Sequence, residues 1–272
     1  MTPNYEPQIE ALVKQYKKAV EQILAELDRL DISTLSRANS LAALKSVADI
    51  LKELNEESAN WVAENIPLAV RNGIAETIEA LGVVETVDEA LKIAKFNRVN
   101  AELVKAVVAD TQADLLAVTQ NVDKRVRATV RQVTAEVMRD NLSKGINGRK
   151  TMNRQTLEGL RKKLGDSINT GIIDSSGRRW QPQVYVDMVT RTKMMRATND
   201  ATINESIGRD AYYGKISSHG AKDACRNWEG KIVKLTEEAP GDYPYYGNLP
   251  NREIFHPNCK HVISPVRVPE RN

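Results

Sequence analysis

From Ala101 to Met138 the chain contains neither proline nor glycine and returns an apolar residue at helical spacing: Leu103, Val107, Leu115, Val118, Val122, Val126, Val130, Val133 and Val137. Steps of three and four place such side chains on one face of a helix. The stretch exceeds an ordinary globular helix, so it predicts either one long helix or a break near Asp110 to Asp114. Valine lowers helix propensity without vetoing the helix.

The same periodicity recurs upstream. Ile9, Leu12, Val13, Tyr16, Val20, Ile23, Leu24, Leu27 and Leu30 form one amphipathic stripe, and Pro3 and Asn4 suit its start. A second pattern follows Ser40 through Leu41, Leu44, Val47, Leu51, Leu54, Trp61 and Val62, and resumes beyond Pro67 with Leu68, Ile74, Ile78 and Leu81. Proline lacks an amide donor and clashes with the preceding turn, so a break or kink is expected at Pro67; Gly82 is the expected stop. Thr86 to Glu89 reads as a capping box opening a further helix.

After Asn141 the texture becomes basic and glycine-punctuated. A short helix is expected around Arg154 to Leu164, a turn at Asp174 to Gly177 with Gly177 at positive φ, and a helix from Tyr185 to about Arg209. From Tyr212 on, proline, glycine and tyrosine separate short apolar runs at Lys231 to Leu235 and His261 to Val268, the texture of short strands and loops. The expected fold is mainly α with a small α+β carboxy-terminal domain: long amphipathic helices in the first two thirds, short strands and loops at the end. Three segments follow: a helical region over 1–120 for self or partner association, a basic helical region over 121–210, and a small Cys/His-containing α+β domain over 211–272.

The formal net charge is only +3, but acidic side chains dominate before about residue 120 and basic ones after it. No leader-like opening and no apolar run of membrane-spanning length is present, so the expectation is a protein made in the cytoplasm and not held in a membrane. No phosphate loop, dinucleotide fingerprint or catalytic serine motif occurs.

All three histidines and both cysteines fall between His219 and His261. Zinc takes four nitrogen or sulfur ligands, and His256-x-x-Cys259-x-His261 offers up to three. Cys225, His256 and Cys259 are the preferred ligands, with His219 or His261 completing the set around a structural zinc. The spacing matches no standard finger or ribbon, and a metal-free domain with two buried thiols is the competing reading. A metal-dependent, nuclease-like enzyme would place His256 and His261 at the ion; its usual histidine, asparagine and histidine are spread over a strand, loop and helix, whereas His256, Asn258 and His261 are compressed here.

The second candidate site is basic: Lys124, Arg125, Arg127, Arg131, Arg149, Lys150, Arg154, Arg161, Lys162 and Lys163. Lys124, Arg127 and Arg131 recur at helical spacing and can present a positive stripe to phosphates. Base-stacking aromatics are not interleaved, so nucleic acid would be held through its backbone, without sequence preference. The alternatives are a solvated face paired with the acidic first half, or a dock for an acidic protein.

Three ordered segments, "SSGRRWQPQVYVDMVTRTKMMRATNDA", "SSHGAKDACRNWEGKIVKL" and "FHPNCKHVISPV", resemble the carboxy-terminal domain of phage minor head proteins, the Mu protein F-like or head morphogenesis family. The matching positions are Gly177 and Trp180; Tyr185, Met188, Arg191 and Thr192; Cys225, Trp228, Gly230 and Lys231; and His256 to Cys259. Many relatives close with Cys-x-Cys where this chain has Cys259-Lys260-His261, and histidine can replace cysteine at a metal. The resemblance implies a non-enzymatic virion component present in few copies inside the head near the portal, aiding head assembly, genome stabilisation or ejection. Its implied partners are the portal protein, which would associate through the helical region over 1–120, double-stranded DNA bound non-specifically, and the major capsid or scaffolding protein.

Overall fold

The computed structural model describes residues 3–29, 37–145, 148–170, 172–174 and 176–269. Leu30 lies outside the described residues, as do the side chains of Leu27, Ser40 and Arg149. Among the described residues six helices precede or surround two small sheets: α1 (Glu6–Asp28), α2 (Arg37–Ala80), α3 (Val87–Ile93), α4 (Arg98–Ser143), α5 (Arg149–Asn169), β1 (Ile172–Ile173), β2 (Arg179–Trp180), α6 (Pro182–Ile207), β3 (Tyr213–Ile216), β4 (Ile232–Lys234) and β5 (Ile263–Val266). The mainly α architecture with strands towards the carboxy-terminal end is the one the hydrophobic periods predict.

The long valine-rich stretch is one helix, α4, without a break near Asp110 to Asp114. The break expected at Pro67 does not occur either: α2 continues through it. The carbonyl that Pro67 leaves without an amide partner belongs to Ala63, whose residue is exposed, while Ile66, Ala69, Val70 and Ile74 beyond it are fully buried. Water can satisfy the freed acceptor, and burial of the apolar face outweighs one lost backbone bond. Helix α2 ends where Gly82 (φ 71) lets the amides of Gly82 and Val83 turn back onto the carbonyls of Glu79 and Ile78, at 2.8 and 3.1 Å. Thr86 caps α3 as expected, its hydroxyl accepting from the Glu89 amide at 3.2 Å, while the Glu89 carboxylate reaches back to the Glu85 amide at 3.3 Å in place of the Thr86 amide of a full capping box. Gly177 takes φ 78 in its turn, and α5 is longer than the short helix expected there.

The chain divides into two compact units, each built from separated pieces. One comprises Glu10–Asn60 and Gln112–Asp187. Its core joins Ile23 of α1, Val47 and Leu51 of α2, Val122, Val126 and Val133 of α4, and Leu157, Leu160, Leu164 and Ile168 of α5. The residues from α1, α2 and α4 belong to the apolar stripes read from periodicity; those of α5 were not read as a stripe, and they complete the core. The short antiparallel pair β1–β2 belongs to this unit, with Ile172 opposite Trp180. The Asp174 carboxylate organises the turn between them by accepting from the Ser176 and Arg178 amides and from the Trp180 indole.

The other unit comprises Met1–Ile9, Trp61–Thr111 and Met188–Asn272. Here β3 is the middle strand of an antiparallel sheet in the order β4-β3-β5. Ile203 of α6 packs onto a core of Ile216, Val233, Leu235, Leu249, Ile254 and Ile263, together with Cys225 and Cys259. Helices α2 and α6 meet through buried threonines: Thr198 donates to the Ala69 carbonyl at 3.2 Å and Thr202 to the Gly73 carbonyl at 3.3 Å.

Candidate functional site

Two local turns assemble the cysteine and histidine cluster in the sheet-bearing unit. After β3 the chain enters a 3-10 turn, Ala224–Asn227, whose start is capped by the Asp223 carboxylate accepting from the Cys225 amide at 3.1 Å. That cap turns the Cys225 side chain into the core, where the residue is 1% exposed. The second turn is His256-Pro257-Asn258-Cys259, closed by the Cys259 amide donating to the His256 carbonyl at 2.9 Å. Proline at its second position and Asn258 at its third, with φ 66, give the geometry of a type II turn. His256 and Cys259 thereby come to the same side as Cys225.

The Cys225 sulfur lies 3.1 Å from His256 Nε2 and 3.7 Å from the Cys259 sulfur. On its other side the Cys259 sulfur lies 3.3 Å from His261 Nδ1. Each imidazole is oriented by its remaining nitrogen: His256 Nδ1 donates to the Pro257 carbonyl at 2.8 Å, and His261 Nε2 faces Glu229 Oε1 at 3.3 Å. His261 is buried, its own carbonyl accepts from the Asn199 side-chain amide at 3.1 Å, and Asn199 Oδ1 accepts from the Ile263 amide at 3.0 Å. Helix α6 thus fixes both ends of the segment carrying the last ligand candidate.

The electrostatics follow from burial and these bonds. Burial, and then the second sulfur nearby, push the Cys225 thiol far above its ordinary range. Glu229 is held down at about 2, chiefly because the His219 and Ala221 amides donate to it, with His261 adding to the effect. Burial lowers the His261 pKa, opposed by the Glu229 carboxylate. A neutral imidazole with its outer proton committed to an acceptor leaves the sulfur-facing nitrogen with a lone pair.

Of the five ligand candidates read from the sequence, Cys225, His256 and Cys259 lie with their ligand atoms within 4.8 Å of one another. His261 reaches the Cys259 sulfur at 3.3 Å but falls into a second group with Glu229 and the exposed His219, whose ring centroid lies 4.1 Å from that of His261. Asp223, Glu229 and Asn199 escaped sequence reasoning because a search for metal-ligating residue types sees none of their hydrogen-bonding roles. The one local signal was Asp223, two residues before Cys225, a spacing that suits an aspartate capping the turn. A cavity of about 110 Å³ adjoins the cluster, lined by Thr192, Met195, Arg196, Asn199, Tyr246 and Phe255 among others.

The basic candidates lie on α4 and α5 of the other unit. Arg127 is drawn onto Asp123 at 2.8 Å, Lys163 onto Glu136 at 2.6 Å, and Arg161 stands 3.6 Å from Asp28. Lys124, Arg131, Lys150, Arg154 and Lys162 are exposed and Arg125 is partly so. Among the described residues no ion pair joins these six to a carboxylate. The Arg149 side chain falls outside the described residues.

A family model described as phage minor capsid protein 2 matches residues 5–270. No curated protein and no solved structure matches the chain.

Proposed function

Because the chain belongs to the phage minor capsid protein 2 family and is thus a structural component of the phage head, we propose that it acts without enzymatic activity beside the packaged genome. In this reading it contacts double-stranded DNA through the phosphate backbone and sits at the portal vertex, where it aids head assembly, genome stabilisation or ejection. The portal protein, and the major capsid or scaffolding protein, are the proposed protein partners.

The observation that carries the DNA reading is the set of exposed basic side chains on α4 and α5, above all Lys124, Arg131, Arg154 and Lys162, for which no carboxylate partner is present among the described residues. Phosphate contacts of this kind release condensed counterions, so affinity falls steeply with salt and is indifferent to sequence. Arg127, Arg161 and Lys163 contribute less, since each already faces an acid.

Retention of unrelated duplexes by the purified protein, measured across salt concentrations, tests this directly. Replacing Lys124, Arg131, Arg154 and Lys162 by glutamine should weaken binding equally for every duplex and flatten the log–log salt slope by roughly 0.9 per lost phosphate contact. No DNA retention at low salt, or an unchanged slope in the variant, would overturn the DNA reading and favour a basic dock for an acidic protein. The portal assignment has its own test: mass spectrometry of filled heads should find this chain at or below the portal protein's abundance, and its absence from heads would refute it.

A further inference from the structure

We propose that Cys225, His256, Cys259 and His261 bind one zinc ion in a closed, four-coordinate site that fastens the 256–261 segment to the 3-10 turn following β3. The inference does not depend on the DNA or portal readings.

The spacing of the donor atoms is the first argument. A tetrahedral zinc with Zn–S of about 2.3 Å and Zn–N of about 2.0–2.1 Å puts its two sulfurs about 3.8 Å apart and each sulfur about 3.5 Å from a nitrogen. The sulfurs here are 3.7 Å apart, Cys225 lies 3.1 Å from His256 Nε2 and Cys259 lies 3.3 Å from His261 Nδ1. Cys225, His256 and Cys259 already stand within 4.8 Å of one another, whereas His261 is grouped apart from them with His219 and Glu229, so its ring has to close towards the other three to become the fourth ligand.

The second argument is the state of the rings. His256 commits its Nδ1 proton to the Pro257 carbonyl and His261 its Nε2 proton to Glu229, which leaves Nε2 of the first and Nδ1 of the second as lone-pair donors towards the sulfurs. Carboxylate or carbonyl partners on the outer nitrogen are the usual way a metal-bound histidine is oriented. His256 Nε2 also stands 3.2 Å from Asp223 Oδ2, so a carboxylate adds negative charge beside the place a cation would take.

Residue chemistry selects the metal and its role. Two thiolates and two imidazoles suit zinc and exclude magnesium or calcium, which take oxygen ligands. Four protein ligands leave no position for water, so the ion is structural. His219 is left out of the set because its ring lies beside that of His261, centroids 4.1 Å apart, its Nδ1 is 4.0 Å from Glu229, and among the described residues no contact joins it to either sulfur. A three-stranded sheet of short strands gains most from such a cross-link, because the loop it closes, from 225 to 259, carries little regular structure of its own. The same segment reaches the helices of its unit, with the Asn258 amide donating to Thr192 at 3.1 Å and Lys260 meeting Glu6 at 3.2 Å.

The test uses the full chain, purified, stripped with a chelator and reloaded with zinc or cobalt(II). One zinc per chain, and a cobalt form with the intense visible absorption of tetrahedral coordination plus a thiolate charge-transfer band, are expected. Cys259→Ser and His261→Ala should lose stoichiometric metal, His219→Ala should keep it, and Glu229→Gln should keep it with affinity lowered 10- to 100-fold. Reloaded protein without zinc but with two free thiols would overturn the proposal and establish the metal-free domain. So would a cobalt spectrum showing an open or octahedral site, which points to the enzyme reading, or loss of metal in His219→Ala with retention in His261→Ala. If the cysteine variant fails to fold, the wild-type cobalt spectrum and the His219→Ala stoichiometry still decide the matter.

Discussion

Replacing Asn199 by alanine should unfasten the outer edge of the three-stranded sheet. Among the described residues strand β5 pairs only with β3, and on its other side the Asn199 side chain accepts from the Ile263 amide at 3.0 Å and donates to the His261 carbonyl at 3.1 Å, as a further strand would. Asn199 is 2% exposed, so truncation orphans one buried donor and one buried acceptor. Each such orphan costs about 1–3 kcal/mol; admission of a water into the vacated space would offset part, giving about 2–4 kcal/mol for the unit. Hydrogen exchange provides the local assay, since that loss corresponds to roughly 30- to 1,000-fold faster exchange at the Ile263 amide if it opens with its unit. Asn199→Asp should fare no better, because a carboxylate can serve the Ile263 amide but presents an acceptor to the His261 carbonyl. A variant within about 0.5 kcal/mol of wild type in urea unfolding, with Ile263 still protected, would refute the edge-capping argument.

Two further substitutions test the packing beneath the site. A Cβ on Gly73 would stand 2.3 Å from the Thr198 carbonyl oxygen and 3.1 Å from Ala201 Cβ, so Gly73→Ala should lose about 1–3 kcal/mol to overpacking against about 1 kcal/mol gained in helix propensity; a raised melting temperature would show that α2 and α6 separate readily. Burial, reinforced by nearby Glu79, lifts the Glu76 carboxyl from 4.5 to about 7, so its ionisation opposes folding. That cost is absent below pH 4.5, grows as pH rises to 7 and is complete above it. Glu76→Gln should therefore match wild type near pH 4 and exceed it by roughly 1–3 kcal/mol at pH 8, and an equal difference at both pH values would contradict the assignment.

Much of the local structure was legible before any coordinates. The stripes of α1 and α4, the Thr86 cap, the stop at Gly82 and the strand runs near 232 and 263 are statements about neighbours within a few residues, and helical or extended periodicity encodes those directly. Gathering of every cysteine and histidine between His219 and His261 was equally plain, as was the resemblance to phage minor head proteins, with which membership of the minor capsid family agrees.

What tertiary structure decided concerns residues brought together from far along the chain. Cys225 meets Cys259 across 34 positions, Thr129 meets Ser167 across 38, and Asn199 reaches β5 across more than 60. Each depends on how separated pieces of the chain return to the core of one unit. Hence the sequence left His219 and His261 as equal claimants beside the sulfurs, while among the described residues the fold brings only His261, at 3.3 Å from Cys259, against one of them. Hence also Pro67 stays helical, since the burial that overrides a local breaker comes from distant side chains. Local propensity chose the elements, and long-range burial and hydrogen bonding chose which side chains of those elements would meet.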